Sequence, residues 1–125
     1  MLKGHITFED DAVVKIILIF KDANIQKEGV VDTGFNGHIS IPKYLMGQSN
    51  WYEFGEENYE LATGEIVQEP VFIGEVIFDG KKRTVLAVQT EGSDILIGTK
   101  LLSGHLCEFD YGSKIVRIRK GNVLR

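Results

Sequence analysis

Val30-Val31-Asp32-Thr33-Gly34-Phe35 is the stretch from which the fold can be read. Two apolar β-branched residues run into Asp-Thr-Gly, as at the close of a short buried strand that ends in GVVD and so finishes on a carboxylate. A carboxylate in that position is costly unless it is hydrogen-bonded or has a task. A plain turn after a strand also uses Asp. Asp-Thr-Gly turns up by chance in a chain of 125 residues with a probability of roughly a few per cent at average frequencies. The tripeptide alone is a weak signal, and its meaning depends on what surrounds it.

Outward from that run, strands dominate. On the N-terminal side, Ile6 and Phe8 alternate with polar neighbours in GHITFED, EDDA supplies turn residues, and VVKIILIF follows. The pair reads as a hairpin. Its second strand is apolar at almost every position, so both faces are expected to be covered. On the C-terminal side come HISIP and then PKYLMGQ, where Pro42 opens a short helix or turn. WYEFGEENYEL becomes extended in its second half, ATGE turns, and IVQEPVFIGEVIF is a long strand tract. Asp79-Gly80 is a hairpin signal, after which KRTVLAVQ returns. ILIG is a short buried strand, and TKLLSG gives one or two helical turns ended by Gly104. HLCEFD and KIVRIRK are the last two strands, joined by Tyr111-Gly112-Ser113. Many short strands separated by turns predict a closed or sandwich-like β barrel. Only Pro42–Gln48 and Thr99–Ser103 read as helical.

Composition agrees. The 125 residues include 14 Ile, 11 Val and 10 Leu against 4 Ala, which favours strands over a helical bundle. That length suits one domain, residues 1–125, able to bury a core without disulfides or metal. A net charge of −4 argues against a dedicated nucleic-acid binder, which carries a basic excess. The lone Cys107 excludes an intramolecular disulfide framework and suits a reducing compartment. MLKGHITFEDD lacks the apolar run of a secretory signal. The longest apolar stretch, Ala12 to Phe20, is interrupted by Lys15 and falls far short of the ~20 residues that span a bilayer. The expectation is a cytoplasmic protein with no membrane or nucleic-acid partner.

A second segment raises the weight of the first. Asp94-Ile95-Leu96-Ile97-Gly98-Thr99-Lys100-Leu101-Leu102 is an apolar strand, a glycine, then a short helix. With VVDTG and ELATGEI before it, the chain resembles the retropepsin-like aspartic proteases, the fold of retroviral proteases. That family carries Asp-Thr/Ser-Gly after a hydrophobic pair, a turn-tipped flap hairpin, and an apolar-apolar-Gly strand leading into a short helix. Here all three occur in order, with 31 residues from Asp32 to Thr63 and 34 from Gly64 to Gly98. VVDTGFNGHISIP, LATG and ILIGTKLLSGHLCEFD look most like the small prokaryotic branch. The resemblance spans about Gly4 to Ile118. It departs from the viral pattern at two positions. Phe35 follows the glycine where viral enzymes and pepsins usually have Ala or Ser. Lys100 stands where Arg is common, and an ammonium cannot make a guanidinium's bidentate bonds.

The resemblance implies a closed all-β barrel with one or two short helices and a flap hairpin, acting as an aspartic endopeptidase without metal or organic cofactor. Such hydrolysis needs two carboxylates sharing a proton, one as base toward water and one as acid toward the scissile carbonyl. One chain supplies one Asp-Thr-Gly, so a C2 homodimer is expected, with Asp32 and its symmetry mate on the axis. By the same resemblance, the Thr33 hydroxyl cross-bonds to the partner's loop. The Gly34 N–H reaches the carboxylate, and Phe35 completes the active-site loop. Ala62, Thr63 and Gly64 form the flap tip. Ile97, Gly98 and Lys100 support the loop from beneath. An extended peptide or protein substrate binds by strand addition. The alternative is the same dimer kept as a non-catalytic peptide- or protein-binding scaffold. A third possibility is a structural accessory protein with an incidental Asp-Thr-Gly.

Other motifs compete less well. Gly34-Phe35-Asn36-Gly37 matches the G-x-x-G loop of an RNA-binding KH domain, which must join two helices, whereas strands flank it here. His5, His38, His105, Cys107 and Asp110 are metal-ligand types without ligand spacing, although His105 and Cys107 share a strand face. Lys114, Arg117, Arg119, Lys120 and Arg125 could face an anionic partner, but KIVRIRK alternates as a half-buried strand with a solvated basic face. Trp51, Tyr52 and Phe54 suit a substrate pocket or packing equally. No G-x-x-x-x-G-K loop or Ser-centred nucleophile elbow occurs.

Overall fold

The computed structural model describes residues 1–122, with Tyr59 described by its backbone alone. Ten strands and two short helices follow in the order β1 (Leu2–Ile6), β2 (Ala12–Ile19), β3 (Asn24–Val31), β4 (Ile39–Pro42), α1 (Lys43–Met46), β5 (Tyr52–Glu60), β6 (Ile66–Phe78), β7 (Lys81–Thr90), β8 (Ile95–Ile97), α2 (Thr99–Leu102), β9 (His105–Asp110) and β10 (Ile115–Lys120). One ten-stranded sheet runs β5-β6-β7-β4-β8-β3-β2-β1-β10-β9, and a further β6–β2 pairing curls its middle shut. The result is a closed barrel of β2, β3, β8, β4, β7 and β6. Closure rests on Ile17↔Ile77, Leu18↔Val76 and Ile19↔Glu75.

The length of β6 makes the flap. At 13 residues it extends about 43 Å, longer than the barrel needs. Its C-terminal half pairs with β7 on one edge and β2 on the other, inside the barrel. Its N-terminal half leaves the barrel and pairs with β5 instead, from Tyr52↔Ile73 to Glu60↔Ile66. A register shift between Glu53 and Gly55 bends the hairpin where it departs, as bulges do.

The core follows the strand alternation. Val14, Ile16, Leu18, Ile39, Ile41, Val76, Phe78, Val85 and Ile97 fill the barrel, and Leu101, Val116 and Ile118 extend the core beyond it. Strand β2 is covered much as its composition predicts: Ala12 to Val14 are all buried and only Lys15 is exposed.

Two local expectations are corrected. Strand β3 begins at Asn24, well before the GVVD run, because pairing to β2 continues from Val30 back through its polar first half to Asn24. Phe8 is not on a strand. It lies in a tight turn, where the Thr7 N–H donates to Asp11 O (2.8 Å) and the Asp10 N–H to Thr7 O (2.9 Å), leaving its ring fully exposed. Both helices are single turns and lie within the two short stretches that read as helical.

Trp51 pins the base of the flap to the barrel. Its Nε1–H donates to Ile19 O at 2.9 Å, and its ring meets Phe20 edge-on at 5.5 Å. The indole lies across Gly74, where an added Cβ would overlap it. Gly74→Ala is therefore expected to lower stability by about 1–3 kcal/mol, read from the denaturation midpoint. Gly55→Ala, where a Cβ meets nothing within 4 Å, is the control and should stay within about 0.5 kcal/mol.

Candidate active site

Strand β8 lies between β3 and β4, parallel to the first through Val31↔Ile97 and antiparallel to the second through Ile39↔Ile97. The loop 32–38 that joins β3 to β4 must therefore arch over the C-terminal end of β8. It is tied down on both sides. The Asp32 N–H donates to Ile97 O (2.9 Å), and the Gly98 N–H donates to His38 O (2.9 Å). Two more bonds come from α2: Thr99 N–H to Phe35 O (2.9 Å) and Lys100 N–H to Gly37 O (3.1 Å).

Close approach depends on Gly98. A Cβ there would overlap Gly37 O and stand 2.8 Å from both the Phe35 ring and Phe35 O. Phe35 itself is half-buried, with its ring over Gly37, where a Cβ would lie 2.6 Å from the ring. Phe35 is thus the packing element of the loop, seated between two glycines.

Within the arch, the Gly34 N–H donates to Asp32 Oδ1 at 2.9 Å, and the Phe35 N–H to the Asp32 carbonyl at 3.1 Å. Asp32 is half-buried and Thr33 exposed. The two face different hollows. Asp32 opens onto a cavity of about 600 Å³, walled by Phe35 and Lys100 below and by Leu61, Val67, Glu57 and Glu69 of the flap above. Thr33 borders a smaller hollow of about 200 Å³ with Val31, Phe109 and Tyr111.

The flap turn falls on the expected residues. The Leu61 N–H donates to Glu65 O and the Gly64 N–H to Leu61 O, both at 2.8 Å. Gly64 takes φ +88°, a conformation that favours glycine. Ala62, Thr63 and Gly64 are exposed and do not line the large cavity, whose flap wall comes from lower on the hairpin. Ile97 is wholly buried beneath the loop. Lys100 supports the loop through its backbone and is also among the residues lining the cavity.

Several contributors escaped sequence reasoning. Asn36 accepts from the Thr99 hydroxyl at 3.4 Å, and Gly37 makes room for Phe35. His38 fixes the far end of the arch: its Nδ1 accepts the Leu86 N–H of β7 at 3.3 Å, just before β4–β7 pairing begins at Ile39↔Ala87. Glu57 and Glu69 became visible only through the hairpin register. The DTGFNGH run held the signal for the first three, since every residue from Asp32 to His38 belongs to one arch.

The metal-type residues lie in different parts of the fold. His5 faces Glu28 at 3.8 Å, and His105 stands 4.0 Å from Asp79. Burial pushes the Cys107 thiol upward in pKa. Asp110 accepts the Ser113 and Gly112 N–H groups at 3.0 Å, and these bonds, Ser113's above all, hold its carboxyl below the usual range. Among the described residues, no three His, Cys, Asp or Glu side chains gather as a metal site. Trp51 belongs to the core, while Tyr52 and Phe54 are exposed and line no part of the Asp32 cavity. In the basic strand Val116 and Ile118 are buried and Arg119 exposed, as the alternation predicts; Arg125 lies outside the described residues. No helix among the described residues is long and apolar enough to cross a membrane.

Among solved structures, the chain is similar to the crystal structure of a retropepsin-like aspartic protease from Rickettsia conorii. The TM-score is 0.65 at 15% sequence identity, over 91% of this chain and 86% of that one. No protein-family model matches the sequence. No curated protein matches it either. The fold is thus the retropepsin-like barrel with two short helices.

Burial, then the cations Arg83 and Lys100, hold His38 below its ordinary pKa of 6.5. Only unprotonated Nδ1 can accept the Leu86 N–H. The unfolded chain therefore takes up this proton first. The contribution of neutral His38 is complete above pH 6.5 and declines as the pH falls from there toward the lowered folded-state value. Denaturation midpoints should drop between about pH 7 and pH 5, and His38→Asn should flatten that slope. An unchanged slope in the variant would contradict this assignment.

Proposed function

We propose that this protein is an aspartic endopeptidase that works as a C2 homodimer, with a water activated between two Asp32 carboxylates. The observation that carries the reading is the arch. An Asp-Thr-Gly loop stands over β8, its carboxylate bonded to the Gly34 N–H, opening onto a cavity of about 600 Å³ under a hairpin flap. The fold-level likeness to a retropepsin-like protease supports it. The DTGF run and the order of the three motifs make the small prokaryotic branch the nearest pattern.

The chemistry needs one ionised and one protonated carboxyl group. Two carboxylates in contact cannot both ionise, so a symmetric pair shares one proton and titrates in two separate steps. The ionised member takes a proton from water, and the protonated member donates to the carbonyl oxygen of the scissile bond. Collapse of the tetrahedral species then expels the amine, which picks up a proton from the dyad. Asp32 has one oxygen engaged with the Gly34 N–H, which fixes the carboxylate's orientation within its loop.

The remaining roles are those that the family resemblance implies. Thr33, exposed at the outer side of the arch, cross-bonds to the partner's loop and holds the two Asp32 side chains together. Phe35, Ile97, Gly98 and Lys100 keep the loop rigid. The flap, tipped by Ala62, Thr63 and Gly64, closes over an extended peptide and excludes water. This reading needs no metal, organic cofactor, nucleic acid or membrane, and it suits a reducing cytoplasmic setting.

The test is cleavage of a mixed peptide library by mass spectrometry, with wild type beside Asp32→Asn, from roughly pH 4 to 8, where a shared-proton dyad should titrate. Wild type should cleave and the variant should lose at least about a thousandfold of that activity. Sedimentation should give a dimer for both. No cleavage by a folded dimer would favour a peptide-binding scaffold. Equal cleavage by both would remove Asp32 from the mechanism.

A further inference from the structure

We propose that Phe8 and Tyr111 are the anchors of the dimer: both rings are covered by the second copy of this chain, on either side of the Asp32 dyad. The proposal rests on the reading of Asp32 as half of a shared pair and names the side chains that hold the halves together.

Strand register brings the two rings to the arch. Strand β2 pairs with β3 up to Val13↔Val30, so the β1–β2 turn projects beyond the end of β3 that carries Asp32 and Thr33. Strand β1 pairs with β10 through His5↔Ile115, and β10 with β9 through Ile115↔Asp110. The β9–β10 turn therefore reaches the same end of the sheet. Both turns border one hollow of about 200 Å³, in which Asp10 and Asp11 of the first and Tyr111 of the second stand beside Thr33. Two Asp32 carboxylates in contact require the two arches to abut, and whatever flanks Thr33 then lies at the seam.

Both rings are exposed, and both stand on turns that are already fixed. Around Phe8, the Asp11 N–H donates to Thr7 Oγ1 at 3.0 Å, beside the two backbone bonds between Thr7 and Asp10–Asp11. Around Tyr111, Asp110 Oδ1 accepts the N–H groups of Gly112 and Ser113, both at 3.0 Å. The turns are also tied to each other. Lys114 Nζ meets Asp10 Oδ1 at 3.0 Å, and the Ile6 N–H donates to Lys114 O at 3.1 Å. One exposed aromatic is ordinary on a protein surface. Two of them, held rigid around the same hollow, have the placement of interface anchors, because a fixed ring gives up little conformational entropy on being covered.

Strand exchange is a poor substitute. Strand β1 lies between β2 and β10, and β10 between β1 and β9, so neither has a free edge for a second copy. The seam beside the arch must therefore be made by side chains.

Sedimentation velocity over a dilution series tests the proposal, with wild type beside Phe8→Ser, Tyr111→Ser and the double variant. Each single change should raise the dimer dissociation constant about tenfold or more, and the double change about a hundredfold or more. Phe8→Leu should recover most of the loss, and circular dichroism should show the same fold in every variant. Hydroxyl-radical footprinting of the wild type supplies a readout without substitutions. Labelling of Phe8 and Tyr111 should fall severalfold between dilute monomer and concentrated dimer, while that of Tyr44, exposed on α1, should not change. A dimer whose constant is unmoved by the double substitution, or one in which both rings are labelled as fully as in the monomer, would overturn the proposal and leave the dyad in place. A protein that stays monomeric up to about 100 μM, even with peptide substrate present, would overturn both.

Discussion

The absence of a side chain at Gly98 is the constraint on which the rest of this structure depends. Where β8 meets α2, the backbone comes so close to the Phe35–Gly37 segment that a methyl group could not be inserted. That approach allows four backbone hydrogen bonds between residues 97–100 and the Asp32 arch. Each contributes about 0.5–1.5 kcal/mol net, and each would leave a costly unsatisfied group if broken. The barrel supplies the frame for them, since β8 can lie beneath the arch only because it pairs with β3 and β4 at once.

Phe35 takes on a different character in this frame. A serine at that position would offer the carboxylate a hydroxyl. The phenylalanine instead fills the gap over Gly37 and beside Gly98, so the loop is held by packing and backbone bonds. The substitution of Lys100 for arginine has a similar explanation. Support of the loop comes from its main-chain N–H, which any residue but proline provides. The two departures from the viral pattern thus leave the arch closed.

Much of this was legible in the sequence, for physical reasons that can be named. Alternation and turn chemistry located the strands, because a half-buried strand must alternate and Asp79-Gly80 suits a tight turn. The turn at Ala62–Gly64 was readable because Gly64 adopts a positive φ. Strand β3 was under-read, since its first half is polar and is extended only because β2 pairs with it. Phe8 was misread for the converse reason: two flanking hydrogen bonds close a turn that periodicity cannot see. Nothing local in the sequence marks Glu57 and Glu69 as partners, because their meeting is fixed by a register set between distant residues. His38 was legible as an imidazole but not as the acceptor for the Leu86 N–H of β7.

The proposed chemistry makes a symmetric demand: one Asp32 per chain, two per reaction. Mixing wild-type and Asp32→Asn subunits measures it directly. Subunits co-refolded in varied ratio pair at random, and specific activity is followed against the wild-type fraction. If both carboxylates are required, activity falls as the square of that fraction, to about a quarter at equal mixing. A linear fall, to about half at equal mixing, would mean that each subunit acts on its own, and activity holding at about three quarters would mean that one Asp32 per dimer suffices; either would contradict the shared-proton dyad.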